Sequence, residues 1–199
     1  MLDGAAVREV LRDCIALLAS TTDRDWNTNV PGLDLTVAQV VAHIADTCLW
    51  YAIDLAAAGS DLKIVEHKVN PSGAPADLVE AMRTYATIVA SVIDSTPPDV
   101  RGFHPFGMAD PCGFAAMACD EMLIHTDDAA RGLGLTFEPN RDLVEQVLRR
   151  LFPWVEVEAD PWQLLQWANG RTAFEGHPKL ERWRWHCAPL DEWTGERPD

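Results

Sequence analysis

A chain of 199 residues, 48% hydrophobic and 24% charged, suits one domain with at most a short appendage and is too apolar for wholesale disorder. Its 31 acidic against 16 basic side chains leave a formal charge of −15, which repels phosphate backbones and anionic headgroups and argues against nucleic acid or a membrane surface as partner. Five cysteines (Cys14, Cys48, Cys112, Cys119 and Cys187), odd in number and without a CxxC pair, point to neither a disulfide framework nor a cysteine zinc site. They read as reduced, mostly buried thiols of a cytoplasmic protein. The start, MLDGAAVREVLRDC, has no basic segment before an apolar run, so no secretory signal is expected. No stretch approaches the roughly 20 apolar residues of a membrane span.

Apolar side chains at Val7, Val10, Leu11, Cys14, Ile15 and Leu18 predict a first helix over 5–19. Polar residues and Pro31-Gly32 predict a loop over 21–35. Thr36 is placed to cap a second helix whose stripe is Val37, Val40, Ile44, Cys48, Tyr51 and Leu55, with Gly59 as its stop. After a mixed loop, Pro75 opens a third helix to Asp94, its buried face expected from Leu78, Met82, Tyr85, Val89 and Val92. Pro97-Pro98 ends it. The string PPDVRGFHPFGMADP reads as a structured loop in which Phe103, Phe106 and Met108 seek burial. A fourth helix follows from about Cys112 to Arg131, closed at Gly132 or Gly134.

Beyond residue 135 the pattern changes. Short helices are predicted at 141–152, stopped by Pro153, and from Asp160, where Asp-Pro reads as a cap and first turn, to Ala168. Val155-Glu156-Val157 is too short to count as a strand. Six of the eight tryptophans lie from Trp154 onward, in a segment that either packs across the bundle or lines a ligand cleft. The fold class is therefore all-α: a four-helix bundle over 1–135, and a short helical, Trp-rich extension over 136–199 packing on it.

The fourth helix carries the chemistry. Glu121 and His125 are four residues apart and share one helix face, with Asp128 three further on. They continue a stripe begun by Phe114 and Ala118, so a carboxylate and an imidazole stand in line with core positions. An ionised carboxylate facing a core loses several kcal/mol of solvation, roughly, unless something pairs with it. A divalent cation is one remedy, and oxygen and nitrogen donors suit zinc and similar ions. The third ligand must come from a neighbouring helix, and His43, in VVAHIAD, is the candidate. Three protein ligands leave coordination positions open, as catalytic sites do and closed structural sites do not. The same spacing also fits a hydrogen-bonded Glu–His pair or a solvated helix face. His104, in the Gly/Pro loop, is a candidate to approach the site; His67, in a polar loop, reads as solvated, and His177 and His186 as locally packed. No nucleophile elbow, phosphate-binding glycine loop or dinucleotide fingerprint is present.

Two strings carry a family resemblance. Trp26, Pro31-Gly32, Thr36-Val37 and Val41-Ala42-His43 resemble the second helix of the DinB-like superfamily and, more narrowly, the mycothiol-dependent maleylpyruvate isomerase N-terminal domain. EMLIHTDDAARGLG is similar to that family's later signature: Glu121, then His125, Asp128 and Gly134. The resemblance covers roughly residues 1–135. It implies a DinB-like four-helix bundle with a long crossover, and a divalent ion, commonly zinc, held by His43, Glu121 and His125. It also implies mycothiol, an actinobacterial low-molecular-weight thiol, as cosubstrate. The thiol, bound as thiolate, would add to an electrophilic small molecule for isomerisation or S-transfer.

The segment after 135 does not match the isomerase's second domain, so maleylpyruvate itself is not the expected substrate. Asp128 is expected either behind a ligand, orienting it, or paired with Arg131. Arg171 either binds a substrate carboxylate or makes a structural ion pair. The expected function is a metal-dependent, thiol-using enzyme acting on a small molecule, with a homodimer compatible with the reading. The alternatives are a non-catalytic metal- or ligand-binding module, or a metal-dependent hydrolase.

Overall fold

The computed structural model describes residues 1–197. Four long helices, α1 (Gly4–Ala19), α2 (Val37–Ala56), α3 (Pro75–Ser95) and α4 (Pro111–Gly132), are followed by α5 (Arg141–Leu151), α6 (Pro161–Ala168) and a 3-10 turn (Leu190–Glu192). No strand forms among the described residues, and Val155-Glu156-Val157 is irregular. α1 and α2 each pack against both α3 and α4. Residues 20–36 therefore carry the chain across the bundle rather than into a hairpin.

The helix starts are where local chemistry puts them. Asp3 accepts the amides of Ala5 and Ala6. Thr36 and Gln39 form a reciprocal capping box at α2. Asp110 accepts the Gly113 amide at α4, and Asp160 that of Gln163 at α6. Pro75, Pro111 and Pro161 occupy first-turn positions, where a missing N–H costs nothing.

The predicted stripes of α1 and α2 are buried throughout. On α3 the buried face is turned from the expected one. Leu78, Met82 and Val89 are inside, but Tyr85 and Val92 are half-buried, and Val79, Ala86, Ala90 and Ile93 complete the face. Small alanines let α3 approach its neighbours closely and push the larger side chains to the margin.

α4 is the most enclosed helix, with 17 of its 22 residues buried. The bundle covers one side of it, and α5, with α6 docked on α5, covers another. Arg150 of α5 fastens this arrangement. Its guanidinium, 6% exposed, reaches the Asp110 carboxylate at 2.6 Å and the carbonyls of His186 and Cys187 at 3.1 and 3.0 Å.

The loop between α3 and α4 lies directly on the bundle. Gly102 pairs with Ala109, and a Cβ at Gly102 would stand 2.6 Å from the Phe114 ring and 2.9 Å from α2 backbone. Only glycine permits so close an approach. Phe106 and Met108, expected to be buried, are instead 39% and 40% exposed. The loop is anchored through Gly102, His104 and Ala109, which leaves those two side chains on its outer rim.

The tryptophans of the extension divide between the two expected roles. Trp162 and Trp167 are buried, with Trp154 edge-on to Trp167 at 5.6 Å. Trp183 and Trp185 turn toward a cleft beside α2.

Candidate functional site

His43, midway along α2, and Glu121 and His125, one turn apart on α4, converge. One donor atom from each lies within 4.8 Å of the others. His43 Nε2 is 3.3 Å and His125 Nε2 3.1 Å from Glu121 Oε2, and the two imidazole rings stand perpendicular with centroids 4.8 Å apart. Glu121 Oε2 is buried, yet neither contact has hydrogen-bond geometry, so this oxygen has no hydrogen-bond partner. The other oxygen, Oε1, accepts from the Tyr51 hydroxyl at 3.4 Å.

The three groups set one another's protonation. Burial by itself would raise the Glu121 pKa, but His125 and His43 outweigh it and hold the carboxyl well below the usual carboxylate range. Burial would lower His125, but Asp128 and Glu121 overcome that and raise it to about 9. Two imidazole nitrogens and a carboxylate oxygen are a donor set that could hold a divalent ion, and the two N···O separations, 3.3 and 3.1 Å, are close to the edge of about 3.4 Å of a tetrahedron with bonds of about 2.0–2.2 Å.

Behind His125, Asp128 Oδ2 lies 3.0 Å from Nδ1. Asp128 is fully buried and also takes the guanidinium of Arg171, at 3.0–3.2 Å over three contacts, and that of Arg131. Burial alone would raise its pKa, but His125 and Arg171 hold it below the usual value. An ionised Asp128 is acceptor-only, so it holds a proton on His125 Nδ1; with a pKa of about 9 the metal-free ring carries a second proton on Nε2, facing Glu121, which a cation binding there would displace. Asp128 thus contacts the imidazole and Arg131 together. Arg171 gives its guanidinium to Asp128 and to the Asn169 carbonyl rather than to open space.

The cluster lies in a cleft of about 530 Å³, whose lining includes His43 and Glu121. Thr47 and Trp50, one and two turns beyond His43 on the same face of α2, continue that wall. His104 lines the cleft too. Burial, opposed by the charge of Glu121, lowers its pKa to about 4, so the ring is neutral. A larger hollow of about 780 Å³, between the starts of α1 and α4 and α5, contains no His/carboxylate cluster among the described residues.

Three further residues escaped the sequence reading. Tyr51 was counted only as an apolar stripe position. Asp120 is buried beside Glu121, its carboxylate accepting from Asn169 Nδ2 at 2.9 Å and Trp185 Nε1 at 3.0 Å. Burial and then Glu121 push its pKa up to about 7, against these two hydrogen bonds. His67, expected to be solvated, is half-buried, with Nε2 3.4 Å from Asp46 and its ring 5.2 Å from Tyr85. Asp46 also accepts the Val69 amide at 2.6 Å, so α2 holds the 60–70 loop at the edge of the cleft. The aspartate three residues after His43 was the available signal.

No helix among the described residues is long and apolar enough to cross a membrane. Residues 7–130 match the family described as mycothiol maleylpyruvate isomerase N-terminal domain. No curated protein and no solved structure matches the chain. The matched segment contains His43, Tyr51, His104, Glu121, His125 and Asp128, and stops before α5, so Trp183 and Trp185 lie outside it.

Proposed function

The chain belongs to the mycothiol maleylpyruvate isomerase N-terminal domain family, and on that premise we propose that it is a divalent-metal-dependent enzyme that uses a low-molecular-weight thiol, mycothiol, against an electrophilic small molecule. The observation that carries the reading is Glu121 Oε2, buried and without a hydrogen-bond partner between two imidazole nitrogens at the wall of a cleft.

His43, Glu121 and His125 would hold the ion, zinc being the commonest for two imidazoles and a carboxylate. When bound, the ion supplies a Lewis acid with open positions, which lowers the pKa of a thiol so that it is present as thiolate at neutral pH. The protein's own part is positioning. Asp128 keeps the His125 proton on Nδ1, with Arg171 and Arg131 neutralising the carboxylate. Tyr51 steadies the second Glu121 oxygen. His43, about half exposed, stands on the cleft side and forms the rim where thiol and electrophile meet.

Metal content of the purified protein, with and without His43→Ala, tests the site: close to one ion per chain is expected, with loss in the variant. Conjugation of a generic electrophile with mycothiol, compared with water alone, tests the chemistry. Thiol-dependent product supports the reading. Turnover with water alone would make the protein a hydrolase, and no turnover with either would leave a binding module.

A further inference from the structure

The cleft has a chemical character that the metal cluster does not set. Trp50 from α2, Phe103 and Phe106 from the α3–α4 loop, and Trp183 and Trp185 from the extension wall it. Phe106 and Trp185 meet edge-on at 5.8 Å, and Trp183 and Trp185 are tilted at 5.8 Å. Phe106 keeps 39% of its surface exposed although an aromatic ring gains by burial, so a ligand that covers it is favoured.

Charge in the cleft points the same way. Besides Glu121 it contains Asp54, Asp61 and Lys63, and no arginine; Lys63 Nζ is already 3.4 Å from Asp61. Apart from the ion, no side chain there could clamp a carboxylate in two-point fashion, and Arg171 is committed to Asp128. Away from the ion and its ligands, Asp54 and Asp61 outnumber the one ammonium of Lys63, so a dianion reaching into that part of the cleft meets net negative charge.

One polar group does face the opening. His104 Nδ1 accepts the Phe106 amide at 3.1 Å, which places the proton of the neutral ring on Nε2. Nε2 has no protein partner and is not among the enclosed unsatisfied atoms, so it opens to the cleft its residue lines.

We propose that the electrophile is a flat, uncharged, conjugated carbonyl compound, its apolar body held between Trp50, Phe106 and Trp185 and its carbonyl oxygen accepting from His104 Nε2–H. The proposal deepens the thiol-transfer reading and rests on it for the reaction. In that reaction the thiol sulfur forms a bond to the β-carbon as the C=C π bond breaks. The electron pair passes toward the carbonyl oxygen, where His104 Nε2–H meets the developing charge. The S–H proton ends on the α-carbon, by way of solvent, with no net oxidation. Trp50, His104 and Phe106 lie within the family match and Trp183 and Trp185 outside it, so the extension completes a cleft that the matched helices and loop begin.

Isothermal calorimetry on the full-length, metal-loaded protein without thiol tests the inference. The probes are benzylideneacetone, an uncharged aryl enone; fumarate, a dicarboxylate; and butylbenzene, which lacks the carbonyl. The enone is expected to bind at least about tenfold tighter than fumarate. His104→Phe should weaken the enone about fivefold and leave butylbenzene unchanged, as loss of one hydrogen bond requires. Phe106→Ala, at a rim position that leaves the fold intact, should weaken both aryl ligands about fivefold. Fumarate binding as tightly as the enone, or enone binding indifferent to both substitutions, overturns the proposal. Because no thiol is present, neither outcome bears on whether mycothiol is used. Loss of thiol chemistry with these affinities intact would leave the cleft's preference standing.

Discussion

Asp128→Asn separates orienting a ligand from holding the fold together. The aspartate is fully buried and neutralises two guanidiniums while it holds His125 Nδ1. An amide of the same size keeps one acceptor but turns an NH2 group toward either the imidazole N–H or an arginine, which sets donor against donor. Breaking a buried ion pair costs about 3–5 kcal/mol. Arg131, 35% exposed and also bonded to Asp127, keeps part of its solvation, whereas Arg171 at 17% is mostly stranded. A loss of about 3 kcal/mol is therefore expected, read from urea unfolding of the metal-free protein. Metal affinity should fall about 10- to 100-fold, or about 1.4–2.7 kcal/mol, because His125 is no longer held in the tautomer that frees Nε2. Zinc titration against a chromophoric chelator measures it. The control is Arg171→Met, which should lose stability but leave the Asp128–His125 contact, and so keep affinity within about threefold. If Asp128→Asn is destabilised yet binds zinc as tightly as the parent, the tautomer argument fails and Asp128 is only a structural anchor.

Stability should also report His104. Its folded pKa, near 4, lies below the ordinary value of about 6.5, so between these values the unfolded chain takes up a proton that the folded ring refuses. Stability from this group is intact above pH 6.5, is lost as pH falls toward 4, and changes no further below. The loss is on the order of 3 kcal/mol across the window, and His104→Phe should flatten that part of the urea-midpoint profile against pH. Arg150→Ala should cost about 3 kcal/mol by stranding Asp110 and freeing the His186 and Cys187 carbonyls. Limited proteolysis should then cut the 170–190 region first, and uniform cleavage would argue against Arg150 as its fastener.

Most helix boundaries were legible because caps and prolines act locally: Thr36, Pro75, Asp160 and Pro161 sit where they were expected. The α3 face was less so, since a periodic count gives Tyr85 and Val92 full weight and treats Ala86 and Ala90 as filler, whereas close helix approach favours the small residues. Glu121 and His125 could be paired by spacing alone, and His43 was a candidate third partner from its place midway along a neighbouring helix; the family resemblance strengthened that choice, since nothing in α2 by itself aims the ring at α4. Partners distant in sequence were out of reach. Asp120 finds Asn169 and Trp185, 49 and 65 residues on, and Arg171 finds Asp128 43 residues back. Tyr51 was hidden because its ring packs as the pattern predicts while its hydroxyl does something the pattern does not encode.

The buried Asp120 clamp constrains how this architecture can be re-engineered. A carboxylate at that position matches an appendage that offers an indole N–H and an amide N–H at the right depth. A different C-terminal segment grafted onto the same four helices would remove the two donors that hold the Asp120 pKa down and leave a buried, protonated acid without partners one residue from Glu121. Chimeras should therefore tolerate a foreign tail only when residue 120 is changed with it, to alanine for an apolar replacement. The identity of that single residue then becomes a marker of which kind of tail a relative carries.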